Sequence, residues 1–321
     1  MFASENQSER EAIGSHSAMT SRPTAFWNIV IGGVGTQAGQ RILSRYQTDS
    51  EPFPMTLFHW DTDPSTSLDT EDHALIQLTG TDVHAMEANP GRFGPEANDI
   101  IRELKRMLGA GDIMNGSRTT RALTQLAVIF HVNQLCRAMR KSLTRLRERF
   151  KVSIVQPVLI SSSGGGTGSA GQILLMDLMR QAAFRHRLLK GIPTDLLLPP
   201  MAFVAEPFAF ANETSHLQSR KITANCLAYR LESEYLLQQR AASYVGHIGY
   251  ANDGGTILAD PDLMAKVLGN SVYELERCWP VIKARWVDSA DEMASMAHYA
   301  GVDSPEFDHS DDEWTVRRDS L

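Results

Sequence analysis

The chain has 321 residues, of which 42% are hydrophobic and 21% charged, and a formal net charge of −7. That is enough to bury a full core in one large or two medium domains, and the acidic balance argues against nucleic acid as the main partner. The apolar runs are shorter than the roughly 20 residues a membrane span requires, and the start lacks a signal-type apolar core, so a cytoplasmic location is expected.

Residues 1–24 are polar and without pattern, which predicts a disordered tail. Phe26–Ile31 reads as a first strand, followed by GGVGTQAG and a helix-like run, Gln40–Tyr46. Alone, such a glycine turn fits a tight strand-to-helix turn as well as a ligand site. Met55–Trp60 is a second strand that runs into Asp61-Thr62-Asp63-Pro64. Acidic residues at the C-terminal end of a strand in an open α/β sheet sit where ligands bind. Beside a polyphosphate they make sense as holders of Mg²⁺, its waters or a ribose; the plainer reading has Asp63 capping a turn.

Residues 72–95 read as loop-rich, with a turn at Asn89-Pro90-Gly91, before a helix near Glu96–Leu108. Gly109-Ala110-Gly111-Asp112 is another glycine-rich turn, and a long amphipathic helix is predicted over Thr119–Phe150. Its Arg-rich part, near residues 137–149, is not interleaved with aromatics and reads as a solvated face.

Val152–Ile160 is a buried-strand pattern, and SSSGGGTGSAG, Ser161–Gly171, links it to a helical run over Gln172–Met179. Strand, glycine turn and helix start together build an anion site. Small residues let the chain approach a phosphate, and the unpaired N–H groups and dipole of the helix end favour negative charge. Thr167 and Ser169 add hydroxyl donors. No GK[ST] occurs, and the spacing is not that of a dinucleotide GxGxxG.

Leu196–Val204 is a further strand ending at Glu206-Pro207-Phe208, followed by a helix near Thr223–Arg240 and a strand over Tyr244–Tyr250. After the loop Ala251–Ala259 a helix is predicted from about Pro261 to Cys278. Val281–Val287 reads as a short extended segment, Ser289–Tyr299 as a helix, and Gly301–Leu321 as an acidic disordered tail. Alternating strands and helices predict an α/β, Rossmann-like fold: a mainly parallel sheet with helices on both faces. Cys136, Cys226 and Cys278 are widely spaced and expected as reduced thiols, and the 10 histidines form no ligand-spaced pair.

Taken together, these turns resemble the GTP sites of the tubulin and FtsZ superfamily. GGGTGS, Gly164–Ser169, is similar to that family's phosphate loop. GGVGTQAGQ, Gly32–Gln40, resembles tubulin's GQAGVQIGN, with Gly32, Gly35, Gln37 and Gly39 matching. DTDP, Asp61–Pro64, stands where the family has DLEP or NTDAQ, and LGAGD, Leu108–Asp112, followed by Arg118, is similar to the loop that senses the terminal phosphate. The ANPG at Ala88 lies one helix too early for that loop. AEPFAF, Ala205–Phe210, resembles VEPYN, which places a ribose contact on Glu206; ANCLAYRLE, Ala224–Glu232, resembles DNEALYDI, which places guanine recognition on Asn225.

Two segments compete for the acidic catalytic loop that a neighbouring subunit inserts. ILADPD, Ile257–Asp262, falls at the start of the long central helix, where Asp262 would face the base. WVDSADEMASMAHYAG, Trp286–Gly301, resembles NVDFADVRTVMSNMG and keeps the D-x-x-D spacing in Asp288 and Asp291, with Trp286 replacing the family's Asn.

The resemblance implies a nucleotide-binding domain over residues 25–259, central helix, catalytic loop and following helix over 260–301, and a tail over 302–321. The family's second α/β domain, on the order of 100 residues, is not expected here. GTP or GDP would be held by Gly33, Gly35, Thr36, Gln37, Gly109, Ala110, Gly111 and the loop Gly164, Gly165, Gly166, Thr167, Gly168, Ser169. Asp61 and Asp63 would serve Mg²⁺, with Asp63 acting through water. The implied activity is GTP hydrolysis in a head-to-tail assembly with itself, in a cytoskeletal or membrane-remodelling role, with tails open to a membrane or an adaptor protein. The alternative is a non-hydrolysing GTP/GDP-binding dimeric switch or adaptor.

Overall fold

The computed structural model describes residues 24–63, 74–108, 120–206, 216–249, 260–280, 297–300, 305–308 and 315–318. The first three strands are β1 (Thr24–Ile31), β2 (Met55–Asp61) and β3 (Ala74–Gln77). They are followed by β4 (Ile154–Ser162), β5 (Met201–Ala205), β6 (Tyr244–Ile248) and β7 (Ala297–Ala300). These seven form one sheet in the order β3-β2-β1-β4-β5-β6-β7, with every neighbouring pair parallel. The fold is the α/β, Rossmann-like one expected. Consecutive strands are β1, β2 and β3 outward on one side, and the chain then returns to lay β4 against the other edge of β1. That return is the point where strand order reverses.

β1, β2 and β4 are buried almost throughout, because helices cover both faces and a parallel sheet then draws mostly on apolar side chains. Side chains alternate between two cores. Ala25, Trp27, Ile29 and Ile31 of β1 join one core, with α4 (Arg121–Phe150), α5 (Gly166–Arg180), α6 (Ala182–Leu188) and α7 (His216–Gln238). Phe26 and Val30 face the other, with α1 (Gly32–Thr48) and α8 (Pro261–Arg277). A smaller cluster packs α2 (Val83–Ala88) and α3 (Pro90–Leu108) against Leu126 of α4.

β4 is central and yet contains Pro157. Val155 N donates to Leu196 O at 2.7 Å, so position 157, two residues on, faces the same side. Pairing with β5 begins only at Val158↔Met201, so the missing proline N–H costs the ladder no bond.

Several elements depart from the sequence expectation. The stretch 72–95 is not mainly loop: it contains β3, α2 and a first turn of α3 that a break at Gly94 (φ +85) separates from the rest of that helix, which runs on to Leu108 near the expected bounds. Asp82 caps α2 by accepting from Ala85 N at 2.8 Å, and Pro90 opens α3, where its fixed φ suits the first helical position. α1 starts at Gly32 rather than near Gln40, and α7 starts at His216. Residues 297–299 were expected as the end of a helix; together with Ala300 they pair with β6 as a strand, since a sheet edge offers backbone partners to a short extended run. Inside the expected tail, β8 (Pro305–Asp308) and β9 (Thr315–Arg318) pair antiparallel. Their register sets Glu306 opposite Arg317.

α1 and α8 run together closely: a Cβ on Gly269 would lie 2.6 Å from Ala38 O. Arg41 Nε donates to Asn270 Oδ1 at 2.9 Å, Arg45 pairs with Glu274, and Arg277 lies 3.6 Å from Asp49. Beneath this seam Glu276 is buried, with Asn28 Nδ2 donating to its Oε2 at 3.2 Å. Burial pushes the Glu276 carboxyl up to about 8, against a small opposing pull from Asn28. The neutral acid suits the site, because its O–H can serve one of the otherwise unpartnered oxygens, Glu276 Oε1 and Asn28 Oδ1.

A raised acid stabilises the fold fully below its unfolded pKa, and this contribution is lost as pH rises from 4.5 through about 8. Denaturant unfolding of Glu276→Gln is therefore expected to show a stability gain over the parent at pH 8 that vanishes near pH 5. The gain is on the order of 3 kcal/mol. An equal difference at both pH values would show that Glu276 is not held neutral.

Candidate functional site

The chain crosses from β1 into α1 and from β4 into α5 at the two strands that flank the reversal of strand order. In both places a helix begins without a side-chain cap: Ile31 before α1 and Gly165 before α5 make no capping hydrogen bond. Neither first turn contains an acidic residue. The N–H groups of both helix starts are thus left for an anion, and the dipoles add in its favour.

The two turns touch. Gly32 has φ +73, and a Cβ there would meet Gly168 N at 3.2 Å and Thr167 Cβ at 3.4 Å. Gly35 lies against β4, where a Cβ would sit 2.6 Å from Ile160 O, and a Cβ on Gly168 would sit 2.9 Å from Ser162 O. By contrast, Cβ atoms on Gly33 and Gly165 would meet nothing within 4 Å. The first group lets backbone pack on backbone. The second fronts open space before the helix ends.

Hydroxyls fix this arrangement from below. Thr36 Oγ1 donates to Gly32 O at 2.8 Å and lies 2.7 Å from His59 Nε2. With its proton on Gly32, the Thr36 oxygen must accept from His59, which sets the Nε2–H tautomer. Burial pushes the His59 imidazole down to about 4, keeping it neutral in this role. Ser169, expected as a ligand donor, instead turns its hydroxyl onto Gly165 O and is fully buried. Thr167 keeps its place at the junction, with its Oγ1 at 2.7 Å from Thr62 Oγ1 at the end of β2.

The two acidic residues after β2 separate in role. Asp61 is buried, and its Oδ1 accepts from Thr62 N at 2.7 Å and Asp63 N at 3.2 Å, shaping the turn. Asp63 is exposed. Asn225 on α7 is brought to the glycine turn after β4, its Nδ2 donating to Gly164 O at 2.9 Å. Gln37 Nε2 donates to Asp262 Oδ1 at 2.7 Å, which joins the first glycine turn to the start of α8. Asp260, not Asp262, caps that helix, accepting from Leu263 N at 2.7 Å.

Glu206 follows β5 as expected, but its carboxylate is 1% exposed and faces inward. His247 Nδ1 lies 2.7 Å from its Oε1, Arg230 3.8 Å away, and Cys226 Sγ 3.6 Å from Oε2. Burial alone would raise the Glu206 carboxyl, but the His247 hydrogen bond and the His247 and Arg230 charges outweigh it and hold it below the usual carboxylate range. Burial pushes the neighbouring Cys226 thiol and Tyr229 phenol up.

Gln172 completes the underlayer. It accepts from Ser161 Oγ at 2.9 Å and Tyr229 OH at 2.5 Å, and donates to Leu159 O at 2.8 Å. Sequence reading passed over His59, Gln172 and His247. Their signal was a polar residue inside an apolar run, as in FHW and GQILL. Gly109, Ala110, Gly111, Asp288 and Asp291 lie outside the described residues.

No family model and no curated protein matches the chain. Solved structures do. The chain is similar to CetZ2 from Haloferax volcanii, a GTPgS-bound protofilament, at 14% identity and a TM-score of 0.45, over 79% of this chain and 58% of that one. It is also similar to TubZ of Clostridium botulinum phage c-st, at 11% identity and a TM-score of 0.43, over 90% of this chain and 70% of that one. A third is a GTPyS-form protofilament of TubZ from Bacillus thuringiensis serovar israelensis, at 12% identity and a TM-score of 0.42, over 83% and 59%. The chain thus spans 58% of the length of CetZ2.

Two substitutions test the underlayer. Thr36→Val would strand His59 Nε2 in the interior, while Gly32 O keeps its helical partner, and is expected to cost about 1–3 kcal/mol in denaturant unfolding. Glu206→Ala would leave Arg230 beside an emptied charge site and is expected to cost about 3–5 kcal/mol. A change below 0.5 kcal/mol in either would show that these contacts do not hold the turns (the ordinary range for surface substitutions is about ±0.5 kcal/mol).

Proposed function

We propose that the chain binds GTP or GDP where β1 and β4 diverge into α1 and α5. The observation that carries this reading is the meeting of two uncapped helix starts at Gly32 and Gly168, with open space in front of Gly33 and Gly165. Two such ends suit a polyphosphate better than one small anion, because each can serve a different phosphate group.

The backbone of Gly32–Gln37 and Gly164–Gly168 holds the phosphates in this proposal, with Thr62 and Thr167 beside them. Mg²⁺ suits the donor set: it keeps several waters and asks for one or two carboxylates plus phosphate oxygens. Asp63, exposed beyond β2, supplies one through water, and the ion would neutralise phosphate charge. Asp61 and Glu206 are inward-facing, so we assign them to shaping the turn and anchoring α7 rather than to ligand contact. Asn225 and Asp262 reach the site from α7 and α8 and are assigned to the base side.

Turnover is assigned to a head-to-tail assembly in which Asp288 and Asp291 of one copy position water at the site of the next. The tubulin/FtsZ resemblance of the glycine turns supports this assignment. Trp286, in place of the family's Asn, favours the second reading: a GTP/GDP-binding switch that turns over slowly or not at all.

Gly33→Ala adds a methyl group only to the open space, so thermal unfolding should be unchanged while GTP affinity falls roughly tenfold or more. Unchanged affinity would remove the helix starts as the phosphate site. For the parent chain, GTPase rate per molecule should rise with protein concentration, and Asp288→Ala should stop turnover with binding intact. Binding without phosphate release at any concentration would establish the switch instead.

A further inference from the structure

We infer that two copies of this chain pair side by side through α7, about a two-fold axis that passes near Leu227. α7 turns Cys226, Tyr229, Ser233, Leu236 and Leu237 inward, and all are buried. The opposite face is apolar where it should be wet. Leu227 is 38% exposed, Leu231 62% and Tyr235 56%; among the described residues the one other exposed large hydrophobic is Leu263.

The exposed positions form a seam. Arg220, Ala224, Leu227, Leu231, Glu234 and Gln238 are all exposed and recur at alternating spacings of four and three residues. That is the spacing of a helix face that packs along a second helix. A stripe of this kind on a surface helix implies an occupant.

Complementarity identifies the occupant as the same stripe reversed. With α7 antiparallel to itself about Leu227, each residue n positions after 227 lies opposite the residue n positions before it in the other copy. Arg220 then meets Glu234, and Glu234 meets Arg220, giving two identical ion pairs. Neither residue has an ion pair within its own chain among the described residues. The bulky residues of the C-terminal half fall on small ones in the N-terminal half: Leu231 on Thr223 and Ala224, Tyr235 on Ser219. One patch that satisfies itself in this way makes a closed, isologous pair.

Asn225 contacts the phosphate loop from the buried side of α7, so the pairing leaves the phosphate site uncovered. The inference does not rest on nucleotide binding. It predicts a dimer that forms equally well without nucleotide, distinct from any head-to-tail assembly that needs GTP.

Sedimentation velocity of the full chain across a concentration series, without nucleotide and with GDP, reads the association directly. The parent is expected to dimerise, and Leu231→Glu to weaken the dimer by about tenfold or more with unchanged thermal unfolding. R220E and E234R should each weaken self-association, because each sets like charges opposite one another. An equimolar mixture of the two should recover a dimer, because every facing pair in the mixed species is again opposite in charge. A parent chain that stays monomeric would overturn the inference. So would a Leu231→Glu variant that dimerises like the parent, or a mixture no stronger than its components.

Discussion

The close passage of Gly32 over Gly168 sets the geometry of everything at the top of the sheet. It exists because the chain, having laid β2 and β3 outward from β1, returns to place β4 on the opposite edge of β1. Two strands so placed send their following helices to opposite faces, and the first turns of those helices diverge from a common point. A side chain at Gly32 would press on Gly168 and Thr167, and one at Gly168 would press on Ser162 at the end of β4, so either would disturb the approach of the two helix ends. The left-handed φ of Gly32 and the Thr36–His59 pair beneath it serve this one approach.

The underlayer explains why so polar a region is so deeply buried. Gln172, Ser161 and Tyr229 on one side, and Glu206, His247 and Arg230 on the other, join β4, β5, β6, α5 and α7 behind the loop. Polar groups in a low-dielectric interior are costly when unpaired and rigid when fully paired. Here the pairing fixes where Asn225 can stand. The backbone amides at the surface need no side chains of their own because the side chains that orient them lie underneath.

Much of this was legible in the sequence. Apolar runs of six to nine residues marked β1, β2 and β4, and the glycine turns after β1 and β4 marked the site, since strand, glycine and helix start follow one another without interruption. The inward turn of Glu206 and Ser169 was not legible. A carboxylate or hydroxyl at a strand end reads as a ligand until its neighbours are known, and His247 and Gly165 O claim these two through contacts that the linear pattern does not display. β7 was misread because a run of four residues carries too little periodicity to tell strand from helix, and an open sheet edge decided it. The helix-opening position of Pro90 was likewise hidden, because Asn-Pro-Gly reads as a turn whether or not a helix follows.

The seam between α1 and α8 gives the second face a mechanical character. Gln37 is tied to Asp262 at one end, Arg41 to Asn270 and Arg45 to Glu274 along the middle, and Asp49 to Arg277 at the other. With Gly269 pressed on Ala38, the two helices have no room to slide past one another and act as a single beam. α8 is 17 residues long, so the beam reaches about 25 Å. One end of it is the first glycine turn itself. A shift of α8 along its axis would therefore pull on the first glycine turn through α1 itself.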